Sequence, residues 1–199
     1  MKITISTKIE KLGSQIPSVG LPPVVTCRHD APCFGKCYAR KGNYNFPSVK
    51  KALAENLNAY REDPEYFFDY IAVNSRLVCF FRWFHAGDIV DRRFLDGMAA
   101  VAKKNPNTRY LAFTKKFDIV NKYLDEGNKL PKNLKIVFSG WSASFPVLNP
   151  HNLPTSFVRF KDGDNSHIPP KAFKCSGDCS NCQMCWLLRK GQSVEFREH

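Results

Sequence analysis

The sequence lacks any apolar run approaching the roughly 18 residues that cross a bilayer. Its first stretch, MKITISTKIEKLGSQ, lacks the charged-then-apolar layout of a secretory signal. A cytoplasmic chain with no membrane partner is therefore expected. Acidic residues are scarce, 18 against 30 Lys and Arg, and the formal net charge is +12. There is no G-x-S-x-G elbow, no P-loop and no H-E-x-x-H pair, so three common chemistries have no motif to act through. Repeats, low-complexity tracts and flexible linkers are missing too. What is present suffices for a core: across 199 residues, 43% are hydrophobic and 13% aromatic, which excludes wholesale disorder. The basic excess favours a polyanionic partner, a nucleic acid or nucleotide substrate, by neutralising phosphates. Oligomeric state leaves no mark on the sequence.

Cysteine carries the strongest signal. Eight cysteines without an export signal are expected to stay reduced, which points to metal rather than disulfides. Cys27, Cys33 and Cys37 stand at C-x5-C-x3-C, and Cys175, Cys179, Cys182 and Cys185 at C-x3-C-x2-C-x2-C. Three thiolates from one loop can hold three irons of a [4Fe-4S] cluster and leave the fourth open to a reacting molecule. Gly35 is expected to ease that loop. The alternative is a structural zinc completed by His29 or His85. The compact C-terminal quartet suits a second cluster, although sulfur ligation alone does not separate zinc from iron–sulfur. Gly177, Asp178 and Asn181 form a loop able to wrap it and to direct backbone N–H groups at sulfur. Cys79 reads as core.

Strand and helix patterns alternate, the mark of α/β architecture. Strands are expected over 21–26, 77–84, 109–114, 134–139, 157–160 and 193–197. Helices are expected over 47–61, 64–75, 117–124 and, capped by Asp91, up to 104. About six βα units fit an open, partial parallel βα barrel, with a flat doubly wound sheet as the alternative. Residues 1–170 would form the barrel, and 171–199 a C-terminal four-cysteine metal-binding segment packed on it. Either architecture places chemistry at the carboxyl ends of the strands. There lie Phe84-His85-Ala86-Gly87-Asp88, then Thr114, Lys115 and Lys116, then Ser139-Gly140-Trp141-Ser142. Asp88 and His85 are the catalytic candidates. Ala86, Gly87, Asp88, Thr114, Lys115, Ser139 and Ser142 are the cofactor-binding candidates, offering hydroxyls, a cation, a carboxylate and a close backbone approach.

The ordered set TC-x5-C-x3-CYA, FRWFHAGD, FTKK and CSGDCSNCQMCW, followed by a short strand ending in His199, resembles the phage and prophage proteins of the gene product eighty-eight family. That likeness covers nearly the whole chain and implies a phage- or prophage-encoded protein in the cytoplasm of a bacterial host. The three-cysteine loop, the aromatic beside its last cysteine and the Gly-acid element resemble, more distantly, radical S-adenosylmethionine (SAM) enzymes. This second likeness implies a [4Fe-4S] cluster on Cys27, Cys33 and Cys37. It implies a SAM amino group held by Ala86, Gly87 and Asp88, a ribose touched by residues 139–142, and an auxiliary cluster on the last four cysteines. The loop is longer at both intervals than the C-x3-C-x2-C of those enzymes, and Ala-Gly stands where they have Gly-Gly. Two other readings compete. One is a base-exchanging enzyme like the deazaguanine transglycosylases, with Asp88 as nucleophile and a structural metal. The other is a metal-stabilised nucleic-acid-binding or redox-sensing protein without catalysis.

Overall fold

A computed structural model of the chain describes residues 1–198; His199, at the end of the final motif, lies outside the described residues. Chain order runs β1 (Ile5–Ser6), β2 (Ser18–Val19), α1 (Pro23–Thr26), α2 (Pro47–Glu62), α3 (Pro64–Ser75), β3 (Phe80–Trp83), α4 (Arg92–Lys104) and β4 (Arg109–Thr114). It continues with α5 (Phe117–Asp125), β5 (Leu134–Ser139), β6 (Thr155–Arg159), β7 (Phe173–Lys174), α6 (Cys179–Cys182), α7 (Met184–Leu187) and β8 (Ser193–Arg197). Local chemistry explains the helix starts. Pro47 and Pro64 sit at first helical positions, where the missing N–H has no partner to lose. Asp63 follows α2 and caps α3, accepting from the Tyr66 N–H at 2.9 Å. Asp91 caps α4 through the Phe94 N–H at 2.8 Å and also accepts from the Tyr60 hydroxyl at 2.6 Å.

The eight strands form one sheet in the order β1-β2-β3-β4-β5-β6-β8-β7, parallel throughout except for the β1–β2 pair. β1 and β7 are free edges, so the sheet is not closed. From β2 to β6 the order advances one neighbour at a time, without the mid-sheet reversal of a doubly wound fold. One face packs Phe81, Trp83, Tyr110, Ala112, Ile136 and Phe138 against the long helices, through Phe67, Phe94, Met98 and Val120. The other face carries Leu111, Val137 and Val194, with Phe80, Phe113 and Phe196 beside them, and meets Leu12, Ile16, Cys179, Trp186 and Leu188. The Phe113 and Phe196 rings lie 5.4 Å apart. Their strands, β4 and β8, are three strand spacings apart, about 14 Å in a flat sheet. This second face is therefore concave, and the C-terminal cysteine segment fills part of it.

Three expectations need correction. Residues 21–26 do not form the first strand: Pro22 and Pro23 withhold the donors a ladder needs, so α1 turns there and β2 pairs at Ser18 and Val19 instead. The second strand begins at Phe80 rather than at 77. Leu77 is 87% exposed and Cys79 is also exposed, because the chain is still leaving α3 through a turn held by Thr108. Gly35 adopts no left-handed conformation and has no atom close to where a Cβ would stand, so the loop does not depend on it.

Candidate functional site

The carboxyl ends of β3, β4 and β5 converge on Asp88. Its carboxylate accepts from the Thr114 hydroxyl at 2.6 Å, the Ile89 N–H at 2.7 Å and the Lys115 N–H at 2.9 Å. Its own N–H donates to Thr26 Oγ1 at 3.1 Å. Asp88 is only 5% exposed, and burial raises its carboxyl from the ordinary value against the opposing pull of those hydrogen bonds. Gly87 is required here by geometry. Its φ is +84°, and a Cβ would come within 2.7 Å of the Leu21 carbonyl oxygen. Ala86 is buried, and its carbonyl accepts from the Leu21 N–H at 2.8 Å. The turn that presents Asp88 is thus pinned against the segment leading into the first cysteine loop.

Cys27 follows α1 directly. Burial pushes its thiol up to about 12, and the negative charges of Asp88, Cys37 and Cys33 add to the rise, while Lys115 opposes it. Burial likewise raises the Cys37 thiol, with Cys33 adding a smaller push. Cys27 is therefore the electrostatic neighbour of Cys33, Cys37, Asp88 and Lys115, and Cys37 that of Cys33 and Lys115. Lys115 Nζ donates to Ser139 Oγ at 2.7 Å and stands 5.9 Å from the Trp141 ring. Asp88, Thr114, Lys115, Ser139 and Cys27 thus form one neighbourhood.

Two candidates stand apart. The His85 ring bonds through Nδ1 to Ser18 Oγ at 3.1 Å and packs so closely on Gly20 that a Cβ there would lie 2.5 Å from Nε2. Burial, helped by Arg82, lowers its pKa to about 4, so the imidazole is neutral at pH 7. The backbone carbonyl of His85, rather than its ring, faces the cysteine loop, accepting from the Tyr38 and Tyr44 hydroxyls at 2.7 and 3.1 Å. Ser142 bonds to Ser144 at 2.9 Å. His29, the other distant zinc candidate, has Nε2 on the Val24 carbonyl and its ring against Phe34.

The structure adds residues that motif reading missed. Arg28 spans the gap between loop and strand end: it bonds to Asp30 and the Lys115 carbonyl, and lies 5.5 Å from the Phe145 ring. Thr26 supports the Asp88 turn. An Arg and a Thr flanking Cys27 were visible in TCRHD, but nothing in the spacing aimed them at residues 88 and 115.

The second cysteine group lies on the concave face. Cys175, Cys179, Cys182 and Cys185 all line one cavity of about 60 Å³, with Trp186, Val194 and Phe173 in the same wall. A single water takes roughly 10–15 Å³ by such a measure, so the space admits a group of several atoms. Burial raises the Cys179 thiol and pushes Cys185 up to about 12. Asp178 caps α6 and ties down Ser180 and Asn181, while the Gly177 N–H donates to Cys175 Sγ at 3.4 Å. Trp186 anchors the segment, 4% exposed, with its indole N–H on the Phe81 carbonyl at 3.1 Å. Among the described residues, no three His, Cys, Asp or Glu side chains converge as ligands of a single metal ion. No helix is long and apolar enough to cross a membrane.

Fold and site together define an α/β protein with an open, mostly parallel sheet, one cysteine group at its carboxyl-terminal rim and another on its concave face. Residues 2–188 match the family described as Gene product 88, and the chain belongs to it. The matched region contains both cysteine groups and stops before β8. No curated protein and no solved structure matches the chain.

Proposed function

We propose that the protein is an iron–sulfur enzyme of radical-SAM type. In this proposal Cys27, Cys33 and Cys37 hold a [4Fe-4S] cluster at the rim, the four C-terminal cysteines hold an auxiliary cluster, and a nucleic acid or nucleotide is the substrate. One observation carries it: three thiols of a single loop gather beside the buried Asp88 turn and Lys115, at the strand ends where an open parallel sheet presents its chemistry. The donor set fits the group. Soft thiols suit iron–sulfur ligation, and one loop contributes three of them, leaving room for a further ligand. At the second group, four sulfurs surround a cavity instead of meeting at a point. Four soft thiols around one such cavity suit an iron–sulfur cluster. An open partial barrel is the architecture that such a site would use, and the concave sheet is consistent with it.

When bound, the rim cluster would supply an electron to the SAM sulfonium. The chain's own residues do the rest. Asp88 keeps Thr114 and Lys115 in register through two hydrogen bonds, so the rim keeps its shape when the loop is loaded. The Lys115 ammonium, held by Ser139, offers its remaining protons to a carboxylate or phosphate. Trp141 presents an aromatic face beside it for stacking on a base. The buried thiols lose protons when metal enters, so uptake is favoured as pH rises. The net charge of +12 supports an anionic substrate.

Base exchange on Asp88 is less well served, because a nucleophilic carboxylate needs a free oxygen, whereas three donors occupy this one at 5% exposure. The deciding measurement uses anaerobically purified protein. Iron and sulfide near two cubanes per chain, a SAM-dependent change in the electron paramagnetic resonance (EPR) spectrum, and 5′-deoxyadenosine released on adding dithionite are the expected results. Zinc without sulfide, with no response to SAM, would overturn the proposal. Salt-dependent nucleic-acid binding that survived Asp88→Ala would then indicate a non-catalytic binding protein.

A further inference from the structure

Of the helices that cover the sheet, α2, α4 and α5 expose no large apolar side chain; Arg61, Arg93, Asp96 and Lys122 are typical of what they turn to solvent. α3 differs. It buries Phe67, Phe68, Ile71 and Ala72 in the core, yet exposes Tyr66 and Val73 on its opposite side, with Tyr70 half-buried between them. The Tyr66 and Tyr70 rings lie 6.4 Å apart. Arg76 keeps a helical conformation past the end of α3 and so brings Leu77, also exposed, into the same line. Tyr66, Tyr70, Val73 and Leu77 follow at intervals of four, three and four, the spacing of a seam between two helices. A helix apolar around its whole circumference belongs in an interior.

On one flank the stripe continues into a groove of about 530 Å³, lined by Tyr70, Asn74 and Val78 and, across from them, by Ile3, Ile5 and Pro17. On the other flank the exposed charges are ordered along the helix: Glu65 and Asp69 in its first half, Arg76 just past its end. Asp69 is paired with Lys104 of α4, whereas Glu65 and Arg76 form no ion pair among the described residues. That order selects the occupant. A second α3 laid alongside in the same direction would set Arg76 against Arg76 and Glu65 against Glu65. Turned end for end about a two-fold axis between Tyr70 and Val73, it sets Tyr66 against Leu77 and Tyr70 against Val73. Each Arg76 then falls level with the space between the partner's Glu65 and the partner's Asp69, within about one helical turn of both. Helix dipoles favour the same antiparallel direction.

We propose that α3 is a self-docking surface on which two copies of the chain pair antiparallel, as a two-fold dimer. The apolar stripe supplies the buried contact, and the ordered charges set its direction. α3 covers the sheet face opposite the four-cysteine segment, so pairing there leaves that cavity open and does not depend on what the cysteines bind.

The test is sedimentation equilibrium of the full-length chain, purified anaerobically and kept under reductant so that the exposed Cys79 forms no disulfide between copies. A monomer–dimer equilibrium in the micromolar range is expected. Val73→Asp, next to the two-fold axis, would bring two carboxylates together in the seam and should raise the dissociation constant at least about a hundredfold. Because Val73 lies on the outside, circular dichroism and thermal melting of the variant monomer should show the same fold. Arg76→Glu should raise the dissociation constant about tenfold, since the change counts twice per dimer. Adding Glu65→Arg to Arg76→Glu should restore much of the affinity. A chain that stays monomeric at every concentration would overturn the inference, as would a dimer that Val73→Asp leaves intact. Equal weakening by Arg76→Glu with and without Glu65→Arg would overturn the antiparallel pairing. A monomer that pellets with anionic phospholipid vesicles through Val73 and Leu77 would also overturn it, and assign the face to a lipid surface.

Discussion

The two cysteine groups use the same atom in opposite settings. The rim group sits on a loop that contributes little to the core; what shapes its surroundings is the hydrogen-bonded turn at Asp88. The C-terminal group is part of the core: Cys179 is buried, Cys175 and Cys185 pack on the same apolar cluster, and Trp186 anchors the segment to β3. The difference teaches where each group's free energy goes. In the proposed function, ligand binding at the rim would change local charge and leave the fold largely alone, whereas ligand binding on the concave face would be inseparable from packing the sheet.

Substitutions at the two groups should therefore separate activity from stability. Under the proposed function, Cys27→Ala is expected to abolish SAM cleavage while thermal unfolding moves by no more than a few degrees. Cys185→Ala should cost about 3 kcal/mol or more, roughly 6–12 °C for a chain of this size, and parallel melts with product assays read both effects. Trp186→Ala, which removes the anchor itself, should cost about 3–5 kcal/mol. If it left the melt unchanged, the concave-face group would have to be regarded as peripheral.

The rim should fail at its turn before it fails at its loop. Gly87→Ala would place a Cβ on a left-handed backbone against the Leu21 carbonyl oxygen, with an expected cost of about 2–3 kcal/mol and, under the proposed function, loss of the rim cluster while the C-terminal cluster stays loaded. Iron analysis on the variant checks this.

The smallest effect concerns His85. Its folded pKa of about 4 lies below the ordinary histidine value of 6.5. The unfolded chain therefore binds a proton first as pH falls, so the contribution is full above about 6.5 and is lost between there and about 4. Denaturant titrations of the wild type and His85→Gln should diverge in that window, and parallel curves would count against a buried neutral imidazole.

Much of the fold could be read from local pattern. Pro47, Pro64 and Asp91 set helix starts through the donors they lack or satisfy, and the apolar alternation of β4 and β5 placed those strands correctly. Residues 21–26 misled because an apolar run beside prolines looks like an edge strand until the ladder partner is known. Within the site, Asp88, Thr114, Lys115 and Ser139 were each legible as strand-end residues. That His85 turns its ring toward Ser18 and that Ser142 pairs with Ser144 was not, since side-chain direction after a turn depends on what packs there.

The sequence by itself determined the α/β alternation, the basic charge and the two sets of closely spaced cysteines, because these are properties of neighbours along the chain. Only the tertiary structure decided that the four-cysteine segment folds back into the concavity of the sheet, with the Trp186 indole N–H on the Phe81 carbonyl. Residues 81 and 186 are 105 positions apart, and no local periodicity encodes a contact that depends on how strongly the intervening strands curl.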